Sequence, residues 1–320
     1  MVPADAVFLD LATVARGDLD LTGLRAACAR WTLHDYTQPG QLAARIARAQ
    51  VVVTNKFVLD RAALAAAPDL KLVCLTATGT NNVDLAAAQE LGIAVANVTG
   101  YATAAVVQHV FALILAHATR LLDYRAAVAA GAWSRSPMFC LLDFPIFELA
   151  GKTLGIVGYG ELGRAVARVA RCFGMEVLIA QRPGGPPREG RLPLADLLPQ
   201  VDVLSLHCPL AENTRGLIGA AELALMRPTA LLVNTARGPL VDAQALAAAL
   251  RAGTIGGAAL DVLSSEPPPL DHPLLAPDIP NLILTPHTAW ASREARQRVL
   301  DEVALNIAAF AAGERRNRVA

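Results

Sequence analysis

Leu154-Gly155-Ile156-Val157-Gly158-Tyr159-Gly160-Glu161-Leu162-Gly163, near the middle of the chain, decides the fold. A short apolar run enters a G-x-G-x-x-G loop, and a segment rich in Ala, Val and Arg leaves it. In that context a common glycine motif reads as a strand–turn–helix that cradles a dinucleotide. Gly158 allows the tight turn, Gly160 lets a pyrophosphate approach the backbone, and Gly163 permits close helix–strand contact. Amides at the helix N-terminus then face the phosphates, so Gly158, Tyr159, Gly160, Glu161, Leu162 and Gly163 form the expected phosphate loop. The plainer alternative is a glycine-rich turn in an α/β fold that binds nothing.

Working outward, Thr153–Val157, Glu176–Ala180, Val203–His207, Leu231–Asn234, Ala258–Val262 and Ile283–Thr285 read as buried strands. Helical segments such as Leu162–Phe173 and Ala243–Ala252 separate them, which suits a doubly wound parallel sheet. The first hundred residues repeat the alternation, with strand patterns at Ala6–Leu11, Val51–Thr54, Leu72–Ala77 and Ile93–Val98. Amphipathic stretches Leu42–Ala49, Arg61–Ala67 and Leu85–Leu91 lie between them, implying a second parallel sheet with helices on both faces. One long helix is expected over Thr103–Gly131. The last helix, Ser292–Ala312, follows a completed sheet and is expected to pack back on the first unit. That gives a discontinuous substrate domain, 1–100 with 289–320, and a dinucleotide-binding domain, 101–288.

At 320 residues the chain suits two domains of roughly 150 residues each. Hydrophobic residues make up 54%, enough for a large core, and basic and acidic residues balance at 28 each. With no basic field, a nucleic-acid partner is not expected. The five cysteines show no metal-ligand or redox spacing, so no metal is expected and the thiols suit a reducing cytoplasm. MVPADAVFLDLATVARGDLD is acidic and strand-like, unlike a signal peptide. The most apolar stretch, Ala104–Leu122, holds Gln108, His109, His117 and Arg120, which argues for a buried helix and against a membrane span.

The strand Glu176–Ala180 ends in Gln181-Arg182, where an acid would normally hold the adenosine ribose 2′-hydroxyl. A neutral residue followed by arginine favours NADPH, alone or beside NADH. In the other reading Arg182 is a solvated loop residue and Gln181 bonds the hydroxyl. His207-Cys208-Pro209 ends the next strand and is read as a wall of the cofactor pocket.

Three segments close later strands: Asn234-Thr235-Ala236-Arg237-Gly238, Asp261-Val262-Leu263-Ser264-Ser265-Glu266-Pro267, and Thr285-Pro286-His287-Thr288-Ala289-Trp290. Arg237 offers a planar fork for a carboxylate. His287 is a natural proton donor to a carbonyl near neutral pH. Glu266 can accept from its other ring nitrogen and fix the tautomer. Taken singly, each has an ordinary structural reading; together in one fold they form a catalytic set. His34, His109, His117 and His272 have no comparable setting.

With the glycine loop upstream, these motifs resemble the D-isomer-specific 2-hydroxyacid dehydrogenases over essentially the whole length. The resemblance implies NAD(P)-dependent interconversion of a small 2-oxo acid and its D-2-hydroxy acid, with Arg237, Glu266 and His287 in the roles just given. It implies a Rossmann domain, a smaller flavodoxin-like α/β substrate domain, and an active site in the cleft between them. Thr235, Ala236, Arg237, Asp261 and His287 would also line the cofactor, Asp261 holding its carboxamide. The main chain of Ala77, Thr78 and Gly79 would grip the substrate carboxylate. Thr54-Asn55-Lys56, Ala77–Asp84 and Leu142–Leu149 look most like glycerate dehydrogenases, also called hydroxypyruvate reductases. Lys56 then meets substrate, unless it is merely solvated, and Trp290 walls the pocket, unless it only packs. A homodimer built on the Thr103–Gly131 helix and the Met138–Phe147 loop is expected. A phosphite-oxidising enzyme and a corepressor-like NAD-binding scaffold are the alternatives, and Glu266 disfavours formate oxidation.

Overall fold

The structure, a computed structural model, describes residues 3–320; Met1 and Val2, which open the acidic N-terminal run, lie outside it. The chain divides into two compact units, one reaching Ala102 and resuming at Trp290, the other Thr103–Ala289.

The first unit has five parallel strands: β1 (Asp5–Phe8), β2 (Arg30–Leu33), β3 (Val51–Thr54), β4 (Leu72–Leu75) and β5 (Ala94–Ala96). Their order, β2-β1-β3-β4-β5, is that of a flavodoxin-like sheet. β3 and β4 are buried along their whole length, as parallel strands covered on both faces should be. The helices are α1 (Thr22–Ala26), α2 (Leu42–Ile46), α3 (Arg61–Ala65) and α4 (Leu85–Glu90). Asp60 and Asp84 cap α3 and α4, accepting from Ala63 N at 2.8 Å and Ala87 N at 2.9 Å.

The second unit opens with α5 (Thr103–Ala118) and α6 (Leu121–Ala129), bent by 60° at the break between them. The single helix expected over Thr103–Gly131 is therefore two. Arg120 stands at the break with φ +52°, its guanidinium 2.9 Å from Asn281 Oδ1 and 2.8 Å from Asp123 Oδ2. Phe147 N takes the Ala118 carbonyl released there, at 3.1 Å. α5 buries its apolar face within its own unit, against α7 (Glu161–Cys172), and stacks Phe111 on Phe173 at 5.3 Å. Among the described residues no single helix is long and apolar enough to cross a membrane.

The second sheet holds six parallel strands: β6 (Thr153–Val157), β7 (Glu176–Ile179), β8 (Val203–Leu206), β9 (Leu231–Asn234), β10 (Gly257–Leu260) and β11 (Leu282–Leu284). Their order is β11-β10-β9-β8-β6-β7, and a bridge from Ala180 to Leu192 adds a short segment outside β7. With that segment as third strand in chain order, the arrangement is the doubly wound one, and β11 lies beyond it. Its reversal falls between β6 and β8, where such folds bind ligands. α8 (Leu194–Leu197), α9 (Ala220–Leu225) and α10 (Ala243–Arg251) complete this unit. α11 (Arg293–Ala311), capped by Ser292, returns to the first unit and packs on β4 and α1.

Candidate active site

The glycine loop divides its work between packing and binding. Gly158 has φ +96°, and a Cβ on it would lie 2.4 Å from Cys208 N, so β6 turns directly against the segment after β8. A Cβ on Gly163 would lie 2.2 Å from the Gly158 carbonyl, which seats α7 on the strand. A Cβ on Gly160, the residue preceding α7, would meet nothing within 4 Å. The chain's own packing requires glycine at the first two positions and not at the third, which fits a pyrophosphate lying over Gly160. In the first turn, Glu161 accepts from the Thr103 hydroxyl at 2.5 Å, Tyr159 O from Arg164 at 3.3 Å, and Leu162 is half-buried.

His207 and Thr235, which follow β8 and β9, each bury a polar atom without a protein partner, Nδ1 and Oγ1. Buried polar groups are nearly always bonded, so these two fit a polar ligand at the strand ends. Ser205 Oγ holds the other His207 nitrogen at 2.9 Å, and burial lowers the ring's pKa to about 4, so it is neutral at pH 7. Cys208 is buried and Pro209 exposed beside it. The group these residues fit is a nicotinamide dinucleotide.

After β7, the Gln181 side chain is bonded to the loop that follows it. Its amide donates to the Pro186 and Gly185 carbonyls, and its oxygen accepts from Arg188 N at 3.2 Å. It organises the Pro183–Arg188 loop. Asn213 pins the same loop through the Pro183 carbonyl at 2.9 Å. Arg182 and Arg188 are exposed on it.

The catalytic candidates stand at the ends of β9, β10 and β11, neighbours in one sheet. Asn234, fully buried, accepts from Ala236 N at 3.0 Å and donates to the Arg237 carbonyl at 2.8 Å. That brace fixes the loop presenting the half-buried Arg237, whose Nη1 donates to Ala236 O at 2.7 Å. Glu266 Oε1 accepts from Leu263 N at 3.0 Å, and Oε2 lies 2.5 Å from His287 Nδ1. The sheet thus brings Glu266 and His287 into direct contact. His287 adopts φ +55°, a region L side chains rarely enter, and its N–H donates to Asp261 O at 2.8 Å. Asp261, 1% exposed, accepts from Thr285 Oγ1 at 2.5 Å, Thr288 N at 2.9 Å and Ala289 N at 2.8 Å.

Three supporting residues escaped the sequence reading. Asn234 was seen only as a strand end. His272 lies 3.0 Å from Ser264 Oγ, holding the loop that leads to Glu266. His109 lies 2.9 Å from Thr285 Oγ1. Isolated polar residues in apolar segments were the only signal of such partners.

Lys56, Ala77, Thr78, Gly79 and Trp290 belong to the first unit. Buried Asp10 fastens the loop after β3, accepting from Asn55 N at 2.9 Å and Lys56 N at 2.8 Å, and leaves the Lys56 side chain exposed. Thr78 is tied to the segment after β5 by its hydroxyl, which donates to Val98 O at 2.7 Å, and by Asn97 Nδ2, which donates to Thr78 O at 2.7 Å. Trp290 meets Tyr101 edge-on at 6.3 Å.

Residues 111–289 match the family model described as D-isomer specific 2-hydroxyacid dehydrogenase, NAD binding domain. A glycerate dehydrogenase of Methylorubrum extorquens is 43% identical over 292 residues, covering 89% of this chain and 92% of that protein. A hydroxypyruvate reductase of Blautia hydrogenotrophica is 38% identical, covering 96% and 97%. Among solved structures, the Aquifex aeolicus D-lactate dehydrogenase complexed with NAD and lactic acid aligns with a TM-score of 0.81 at 28% identity, covering 97% and 96%. The fold agrees with these likenesses, and the chain belongs to the D-isomer specific 2-hydroxyacid dehydrogenase family.

Proposed function

We propose that this protein reduces hydroxypyruvate or glyoxylate to the D-2-hydroxy acid and catalyses the reverse oxidation. The observation that carries the reading is the 2.5 Å Glu266–His287 pair beside Arg237, on the sheet that bears the glycine loop. A bound nicotinamide dinucleotide supplies or takes up hydride at the substrate carbon. With Nδ1 committed to Glu266, His287 presents Nε2 and donates a proton to the carbonyl oxygen. Glu266 faces the charge that develops on the ring. Arg237 pairs its planar guanidinium with the substrate carboxylate, in a fork that lysine lacks. On the first unit, the resemblance to the family makes Lys56, the main chain of Ala77–Gly79 and Trp290 the candidates for substrate contact. Asp261 has lone-pair capacity beyond its three donors for the carboxamide. The names of the glycerate dehydrogenase and hydroxypyruvate reductase relatives support the substrate class.

The cofactor preference we favour is NADPH, with NADH as a second donor. No acid stands at the end of β7 to repel a 2′-phosphate, and Arg182 and Arg188 are exposed on the loop that Gln181 organises. The protein acts as a homodimer in this reading. A run of exposed apolar side chains lies on α6 and the following loop, including Leu121, Phe139, Leu142 and Ile146. Five free thiols, Cys28, Cys74 and Cys208 among them buried, support a cytoplasmic setting.

Initial rates with hydroxypyruvate, glyoxylate, pyruvate and a bulky 2-oxo acid, each with NADH and NADPH, test this directly. Highest kcat/KM for hydroxypyruvate or glyoxylate supports it. Turnover of phosphite instead, or of none of these, rejects it.

A further inference from the structure

α5 turns a polar side chain toward the ends of β10 and β11. His109 Nε2 lies 2.9 Å from Thr285 Oγ1 and 3.5 Å from Asp261 Oδ1. Thr285 Oγ1 in turn lies 2.5 Å from Asp261 Oδ1. The hydroxyl has one proton, and an ionised carboxylate only accepts, so that proton goes to Asp261. The hydroxyl lone pairs then face His109, whose Nε2 must hold a hydrogen and donate it. From Asp261 the chain continues to Thr288 N and Ala289 N, and the Asp261 carbonyl accepts from His287 N. The series that starts at His109 therefore ends on the backbone to either side of the catalytic ring. That backbone needs bracing, because His287 holds φ +55°, where an L residue is strained.

We propose that His109 is a positioning residue for His287: by donating to Thr285 it locks the hydroxyl onto Asp261, which holds the His287 segment in its left-handed conformation. This rests on the reading of His287 as proton donor. His109 touches neither substrate nor cofactor in this role; it acts through Thr285 and Asp261. Loss of its N–H lets the hydroxyl rotate and the segment relax, which moves the ring away from Glu266.

The test pairs kinetics with a readout that needs no turnover. His109→Leu is expected to lower kcat about 10- to 100-fold, the scale of a misplacement near 1 Å, with a smaller change in substrate KM. His109→Gln, whose amide N–H reaches the same hydroxyl, should recover most of that loss. In ¹⁵N-histidine NMR of the ligand-free protein, the His287 ring signal, identified by its loss in His287→Gln, should shift in His109→Leu and return in His109→Gln. If His109→Leu does not fold, Thr285→Val is measured in its place and should show the same kinetic and NMR changes. A folded variant with wild-type kcat and an unmoved His287 signal overturns the proposal. So does failure of glutamine to rescue. If the wild-type protein reduces no 2-oxo acid, the functional reading falls, and the NMR shift still decides the positioning.

Discussion

Gly238 has no side chain to offer a reaction, yet a Cβ there would lie 1.9 Å from the Leu263 carbonyl oxygen. It presses the Arg237 loop against the chain leading to Glu266. Gly238→Ala must push those two segments apart, at about 1–3 kcal/mol for overpacking. Urea unfolding should show that loss, and kcat/KM in the folded protein should fall at least tenfold; unchanged kcat/KM would mean the two segments need not touch. His287→Ala should lower kcat about 10²–10⁴-fold, the span of a general acid, with much less effect on substrate KM. Near wild-type kcat under conditions where chemistry limits the rate would remove His287 from its role. Arg237→Lys keeps the charge and loses the fork, so both KM and kcat should worsen. On the NADPH preference proposed above, Arg182→Ala should remove one charge-assisted contact to a 2′-phosphate, about 1.5–3 kcal/mol when partly desolvated. Because Arg182 is exposed, the lower end applies, and kcat/KM with NADPH should drop about tenfold while NADH is little affected. Equal NADPH kinetics in this variant would argue against a phosphate contact.

At the scale of elements, two histidines record how deeply the second unit is packed. His117 closes α5 against β10, where a Cβ on Gly257 would lie 2.5 Å from its ring, and His207 ends β8. Burial lowers both pKa values from 6.5 to about 4. Both rings are neutral when folded and take up a proton on unfolding in acid. Their stabilisation is complete above pH 6.5 and is lost as pH falls toward 4. The slope is about 1.4 kcal/mol per pH unit for each ring. Asp18, lowered by its bond to Arg296, acts in a separate window, below its ordinary 3.8. Thermal melts between pH 7.5 and 4.5 should therefore show a declining Tm, shallower in His117→Gln. An identical slope in that variant would show that His117 does not titrate on unfolding.

For the whole molecule, the decisive surface is the one α5 does not use. Its apolar residues are consumed inside the second unit, so the proposed homodimer would use α6 and the loop behind it, where Phe139 is 91% and Leu142 77% exposed. Tyr124 fastens that loop, donating from its hydroxyl to Phe144 O at 2.8 Å. Light scattering should give twice the 33.5 kDa chain mass for the wild type and the single mass for Phe139→Glu with Leu142→Glu. A wild-type monomer at micromolar concentration would show that this surface serves something else.

The parallel strands of both sheets were legible because a strand covered on two faces is written as a short unbroken apolar run, as in Val51–Thr54 and Leu231–Asn234. The strand–turn–helix of the glycine loop was legible because its glycines answer to local geometry, and the Glu266–His287 contact because a carboxylate and an imidazole pair by residue type. Edge strand β2 was missed, since half-exposed Arg30–Leu33 has no such run. The break at Arg120 was missed because no glycine or proline marks it; Asn281, distant in sequence, holds the guanidinium. The bonding of the Gln181 amide to the loop that folds back onto it was not legible, because Pro186 carries no local sign of that contact. His109 meets Thr285 across 176 positions, and nothing local to either residue announces the other. Local sequence determines backbone preference, burial period and chemical type. Which polar groups share a hydrogen bond is decided only when packing brings distant segments within 3 Å, roughly the length of such a bond.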